Sequence, residues 1–128
     1  MSWRWIDRHA LLLLHAESLA EHGGSEGLRD EGLLESALAR PENPVAYAQP
    51  EFAALAASYG VGLAKNRPFI DGNKRAAFLA VGLFLYLNGY RLSATQAEAT
   101  LTMLAVASGD IDEAEFAAWI RAHAVKRK

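Results

Sequence analysis

Cysteine is absent from the 128 residues, which removes disulfides, thiol nucleophiles and cysteine metal sites at once. That absence is compatible with a reducing cytoplasm, where disulfides are rare. Neither sign of charge predominates: 13 lysines and arginines stand against 15 acidic residues, a formal net charge of -2. No general basic field therefore points to direct nucleic-acid binding. Apolar runs of membrane length are also missing. Residues 76–87 are uninterrupted but reach only about half of the roughly 20 residues that a span requires. Residues 11–14 are broken off by His15 and Glu17, with no cleavage signal. The expectation is a soluble, untargeted, cytoplasmic chain that does not bind membranes. Repeats, low-complexity segments and linkers are lacking too. With 52% hydrophobic and 22% charged residues, residues 1–128 are expected to form a single globular domain.

Strand signals are scarce, whereas helix starts and stops recur. Asp7 can cap a first helix over residues 8–21, with Ile6, Leu11, Leu14, Ala16 and Leu19 as an inward stripe and Gly23-Gly24 as its stop. Asp30 caps a second, through Leu33, Leu34, Ala37 and Leu38, stopped before Pro41. Three of the four prolines fall within residues 41–50 and make a loop with one exposed-looking aromatic, Tyr47. A third helix over residues 51–65 carries small alanines and glycines that permit close approach. The fourth, residues 73–87, is apolar on all sides past its first turn and reads as the core. Ser93 and Gln96 suggest a capping box for a fifth helix to residue 107, and Asp112 with Glu115 opens a sixth. A short extended piece is expected over residues 90–92. The terminal Lys126-Arg127-Lys128 reads as a solvated tail. The fold class is an all-α bundle of about six helices around a buried apolar central helix.

One stretch carries chemistry: Arg67-Pro68-Phe69-Ile70-Asp71-Gly72-Asn73-Lys74-Arg75. Lys74 and Arg75 fall in the first turn of the fourth helix, where the backbone already presents about half a positive charge. Two cations there make sense if an anion such as phosphate sits among them, accepting from the free first-turn N–H groups. The plainer alternatives are a solvated face, or ion pairs with Asp71, Glu51 or the acidic second helix. Gly72 either ends a loop with an unusual φ or lets phosphate approach the backbone. Asn73 can cap the helix, contact phosphate, or both. Asp71 can cap the helix or hold Mg²⁺, which takes hard carboxylate ligands beside phosphates. Phe69 and Pro68 anchor and stiffen the loop.

Residues 68–75 resemble the central motif of the Fic/Doc family, and Asn73-Lys74-Arg75 is similar to its Doc (death-on-curing) toxin branch. Leu14-His15, Gly23-Gly24, the helix before the motif and Asn88-Gly89 after it extend the resemblance over most of the chain. The resemblance implies the Fic/Doc helical fold and an ATP site. Gly72, Asn73, Lys74 and Arg75 would hold nucleotide phosphates, Asp71 Mg²⁺, and Lys74 would direct transfer of the γ-phosphoryl group instead of AMP. The family motif opens with His as general base. This chain has Arg67, a guanidinium that stays protonated and cannot accept a proton.

Two further departures bear on control. The inhibitory pattern Ser/Thr-x-x-x-Glu-Gly/Asn of many Fic proteins is missing, since Ser25 is followed four later by Arg29 and Ser36 by Arg40. The family's second arginine is Phe78 here. Both favour the Doc branch, which implies inhibition by a separate Phd-like antitoxin folding as a helix into an apolar groove. It also implies a translation factor, elongation factor Tu by analogy, as the target, held by a flap at residues 41–50. The leading expectation is a Doc-type toxin, impaired by Arg67; AMP transfer and a non-catalytic nucleotide-binding module are the alternatives. His9, His15 and His22 on the first helix and His123 near the terminus show no ligand spacing, with His15 a candidate for the pocket rim.

Overall fold

The computed structural model describes residues 2–46 and 50–127; Tyr47 and Lys128, both singled out above, lie outside the described residues. Among the described residues there are six α-helices: α1 (Arg8–His22), α2 (Glu31–Ala39), α3 (Phe52–Asn66), α4 (Asn73–Leu87), α5 (Gln96–Ser108) and α6 (Glu113–His123). Strands β1 (Tyr90–Leu92) and β2 (Ala124–Lys126) pair antiparallel, with Arg91 opposite Val125. The expected all-α bundle is what forms, with this small ribbon closing one end. No helix of the described residues is long and apolar enough to cross a membrane.

Local chemistry starts most helices where expected. The Asp7 carboxylate accepts from Ala10 N–H, that of Asp30 from Leu33, and Asp112 and Glu115 form a complete capping box on α6. α5 differs. Its capping box is Thr95 with Glu98, not Ser93 with Gln96. Ser93 is drawn away because both its N–H and its hydroxyl donate to the His123 carbonyl, each at 2.8 Å, continuing the β1–β2 ladder. Of the terminal basic run, the described Lys126 and Arg127 are also no free tail. Lys126 pairs with Tyr90 in the ribbon, and Arg127 places its guanidinium 4.0 Å over the Tyr86 ring while donating to the Tyr86 carbonyl.

The core lies between α3 and α4, with α6 and α2 covering the far side of α3. α3 is the more completely enclosed, buried without a break from residue 55 to residue 60. α4 is not buried all round: Ala76, Ala80, Val81 and Phe84 face inward, Phe78 and Leu79 are half-buried, and Tyr86 is exposed. On α1 the inward stripe is Leu11, His15 and Leu19, with Ile6 just before it; Ala16 faces solvent and Leu14 is half-buried. A Cβ at Gly60 would lie 2.7 Å from Cε2 of fully buried Phe116 and 2.9 Å from Val81 Cγ2. Gly60→Ala is therefore expected to lower stability by about 1–3 kcal/mol in denaturant unfolding, despite alanine's better helix propensity.

Candidate active site

The loop between α3 and α4 begins under strain. Arg67, the C-cap of α3, adopts a left-handed conformation at φ 49° and ψ 58°, which a non-glycine residue takes only when its surroundings hold it there. Those surroundings come from residues 25–30. The Arg29 guanidinium donates to the carbonyls of Asn66 and Arg67, both at 2.8 Å, so it caps the end of α3 from outside. Backbone N–H groups of Arg29 and Asp30 donate to the Pro68 carbonyl at 2.7 and 3.0 Å, and Ile70 N–H donates to Gly27 at 3.0 Å. Phe69 is buried, as the sequence suggests, and Pro68 with it.

Gly72 is the N-cap of α4, left-handed at φ 74°, and no side chain caps that first turn. The missing Cβ faces inward, where it would meet His15 Nε2 at 3.3 Å and Leu19 Cδ2 at 3.5 Å. Conformation and inner packing are thus the reasons for glycine, and the outer face of the peptide stays open. Asn73 is the first helical residue, not the cap. Its amide clamps the loop, accepting from Phe69 N–H and donating to Phe69 carbonyl, both at 2.9 Å. With the side chain so engaged and 8% exposed, contact with an anion falls to the Asn73 backbone N–H. Asn73→Ala leaves two buried backbone groups unpaired and is expected to cost about 2–4 kcal/mol of unfolding free energy.

Asp71 does not cap α4 either. Its carboxylate accepts from Gly72 N–H at 2.8 Å and from Ser25 N–H at 3.2 Å, which fixes its direction and leaves lone pairs on both oxygens. The Asp71 carbonyl is held at 2.8 Å by His15 Nε2, whose ring stacks 3.8 Å from that of Phe69.

Arg67, Asp71, Gly72, Asn73, Lys74 and Arg75 all line one open cleft of about 360 Å³. All the residues expected to act together are thus brought together. Lys65, from the last turn of α3, joins them, and the sequence reading missed it; which face of α3 it occupies depends on how that helix rolls against α4. Arg29 is equally hidden as a support, since it acts on residues far along the chain, and His15, expected at the pocket rim, sits behind the loop on the Asp71 carbonyl. Four cations therefore surround one carboxylate. Among the described residues none of the four makes an ion pair: Glu51 is taken by Arg121 at 2.7 Å and Glu31 on α2 by Arg8 at 2.6 Å. The ion-pair explanation for Lys74 and Arg75 is thereby removed. Among the described residues there is also no group of three or more potential metal ligands. One oriented carboxylate beside four cations and an uncapped helix start would suit Mg²⁺ carried on a phosphate ligand, which keeps several waters, and does not suit an all-protein metal cage.

Beside the cleft, and sharing Lys74 and Arg75 with it, runs a second hollow of about 460 Å³ between α1, α4 and α5. Its floor is apolar, with Phe78, Leu79, Met103 and Leu104; Glu17, Glu21 and His22 form its α1 rim. The half-buried face of α4 fronts this groove.

Comparison with known proteins agrees with this geometry. The model of the Fic/DOC family matches residues 5–85, from the start of the bundle through the loop to α4. The chain is also 38% identical over 114 residues to the protein named Toxin Doc of Mycolicibacterium smegmatis, an alignment covering 84% of this chain and 85% of that one. With the strained loop, the uncapped cationic helix start and the single oriented carboxylate all inside the matched region, the chain belongs to the Fic/DOC family.

Proposed function

We propose that this protein is a Doc-type toxin of a toxin–antitoxin pair, built to move the γ-phosphoryl group of ATP to a serine or threonine hydroxyl of a translation factor. Elongation factor Tu is the target by analogy with the Doc branch. The observation that carries the reading is the electrostatics of the cleft: four cations with no ion-pair partner among the described residues, and a helix start with no side-chain cap, around one carboxylate. The N–H groups of Asn73, Lys74 and Arg75 with the Lys74 and Arg75 side chains would cradle the phosphates, and Asp71 would hold Mg²⁺. Magnesium, when bound, would neutralise charge on the transferring group.

In the transfer, the target oxygen bonds to the γ-phosphorus while the bond from that phosphorus to the β–γ bridging oxygen breaks, and ADP leaves. The target's proton needs an acceptor. Position 67 is where the family carries one, and a guanidinium cannot serve. As it stands the chain would bind nucleotide and turn it over poorly. Arg67 is also the observation that favours the second reading, a nucleotide-binding protein without catalysis.

The name of the mycobacterial relative, Toxin Doc, supports an antitoxin as partner. The apolar groove between α1, α4 and α5 suits a Phd-like helix, which would reach Lys74 and Arg75 from the side. Titration calorimetry with ATP and magnesium tests the central reading. Saturable binding is expected, and no heat together with no nucleotide density in soaked crystals would overturn it.

A further inference from the structure

Among the described residues, His15 on α1 is the one titratable side chain that is both deeply buried and tied to the motif loop, at 4% exposure. None of the chemistry above uses it. Its Nε2 lies 2.8 Å from the Asp71 carbonyl oxygen, and a carbonyl only accepts, so Nε2 carries the hydrogen. The ring is fixed twice over, stacked 19° from parallel on Phe69 and filling the space a Cβ at Gly72 would need, with Nε2 3.3 Å from that position. Anchoring the Asp71 carbonyl from behind turns the following peptide so that its N–H, that of Gly72, points to the Asp71 carboxylate at 2.8 Å. Ser25 N–H completes the hold on the other oxygen.

We infer that His15 is a positioning residue for the metal-bearing carboxylate: by fixing the Asp71–Gly72 peptide it aims the Asp71 side chain at the cation carried by the nucleotide. The inference rests on the nucleotide-binding reading above. It makes His15 responsible for the magnesium-dependent part of ATP affinity and for none of the rest. Supporting groups of this kind commonly alter metal affinity by about 10- to 100-fold.

The test measures ATP binding by calorimetry, with magnesium and with EDTA, for the unsubstituted chain, Asp71→Asn, His15→Leu and His15→Gln. Leucine retains an apolar body but has no donor, whereas the glutamine amide can take the Nε2 position. His15→Leu is expected to lose about 10-fold or more of the magnesium-dependent gain, as Asp71→Asn does, with affinity in EDTA unchanged. His15→Gln should recover most of it, and His15→Leu in the Asp71→Asn background should cost nothing further. A histidine that only packs would lower the melting temperature and leave the magnesium gain intact. That result, or failure of glutamine to rescue, overturns the inference. If His15→Leu does not melt cooperatively, His15→Asn replaces it, since its shorter amide falls short of the Asp71 carbonyl. Absence of ATP binding in the unsubstituted chain instead sinks the nucleotide reading itself.

Discussion

Replacing Lys74 and Arg75 together by alanine is expected to abolish measurable ATP binding and, at the same time, to raise the melting temperature of the empty protein. The opposed signs follow from one cause. Both cations sit in the first turn of α4 behind a glycine cap that supplies no side-chain acceptor, and neither has a carboxylate partner among the described residues. A cation at a helix N-terminus is unfavourable by about 0.3–1 kcal/mol. Removing two should stabilise the empty chain by about 0.6–2 kcal/mol, a rise of a few degrees. Hydrogen bonds between charged groups contribute about 1.5–3 kcal/mol each, so the pair should weaken ATP binding by about 10²–10⁴-fold. The two side chains are adjacent, so the double effect need not equal the sum of the single ones. Thermal melts with and without ATP and magnesium read both effects in one experiment. Unchanged ATP affinity, or a lower melting temperature without ligand, would show that the cations serve folding and not a ligand.

What the sequence discloses and what it hides divide along one physical line. Features set within a few residues are legible. Asp7, Asp30 and Asp112 cap their helices because an Ncap carboxylate needs only the N–H groups of its own first turn. The nine residues 67–75 advertise the cleft because its cations and carboxylate are contiguous in the chain. Features set by distant partners are not legible. Ser93 looks like a cap until the His123 carbonyl at the end of α6 arrives from thirty positions away to claim its N–H and hydroxyl. Glu51 looks available to Lys74 until Arg121 of α6 is seen to hold it. Asn73 reads as a cap because asparagine often is one, yet its amide is used up on Phe69 by the return of the loop. Lys65, Arg29 and His15 enter the site only through the way α1, the segment after it and α3 pack around that loop. The uniform apolarity of α4 likewise says nothing about which face is left for the groove, since a phenylalanine at position 78 suits either.

Arg67→His is expected to convert a binder into a transferase, with a gain of about 10²–10⁴-fold in the rate of phosphoryl transfer to protein, the usual worth of a positioned general base. The backbone favours the change. Position 67 is left-handed at φ 49° and is fixed there by the Arg29 guanidinium on its carbonyl, and histidine is among the residues that tolerate this region best. The substitution should therefore fold without rearranging the loop. It removes one of four cations from the cleft, so ATP should bind somewhat more weakly even as turnover appears. Because only a neutral imidazole accepts a proton, the rate should climb with pH through about 6.5 and then level off. The chain with Arg67 should show no such rise. Lysate incubated with ATP labelled at the γ-phosphorus should transfer label to a single major protein, and ATP labelled at the α-phosphorus should transfer none. Label from the α-phosphorus instead would assign AMP transfer, and would mean that Lys74 does not select which phosphorus faces the hydroxyl. Expression of the variant should arrest growth, and a Phd-like antitoxin helix occupying the groove beside Lys74 and Arg75 should relieve the arrest. Normal growth with no label from either nucleotide, in a variant that still binds ATP, would leave the cleft as a nucleotide site that position 67 does not turn into an enzyme.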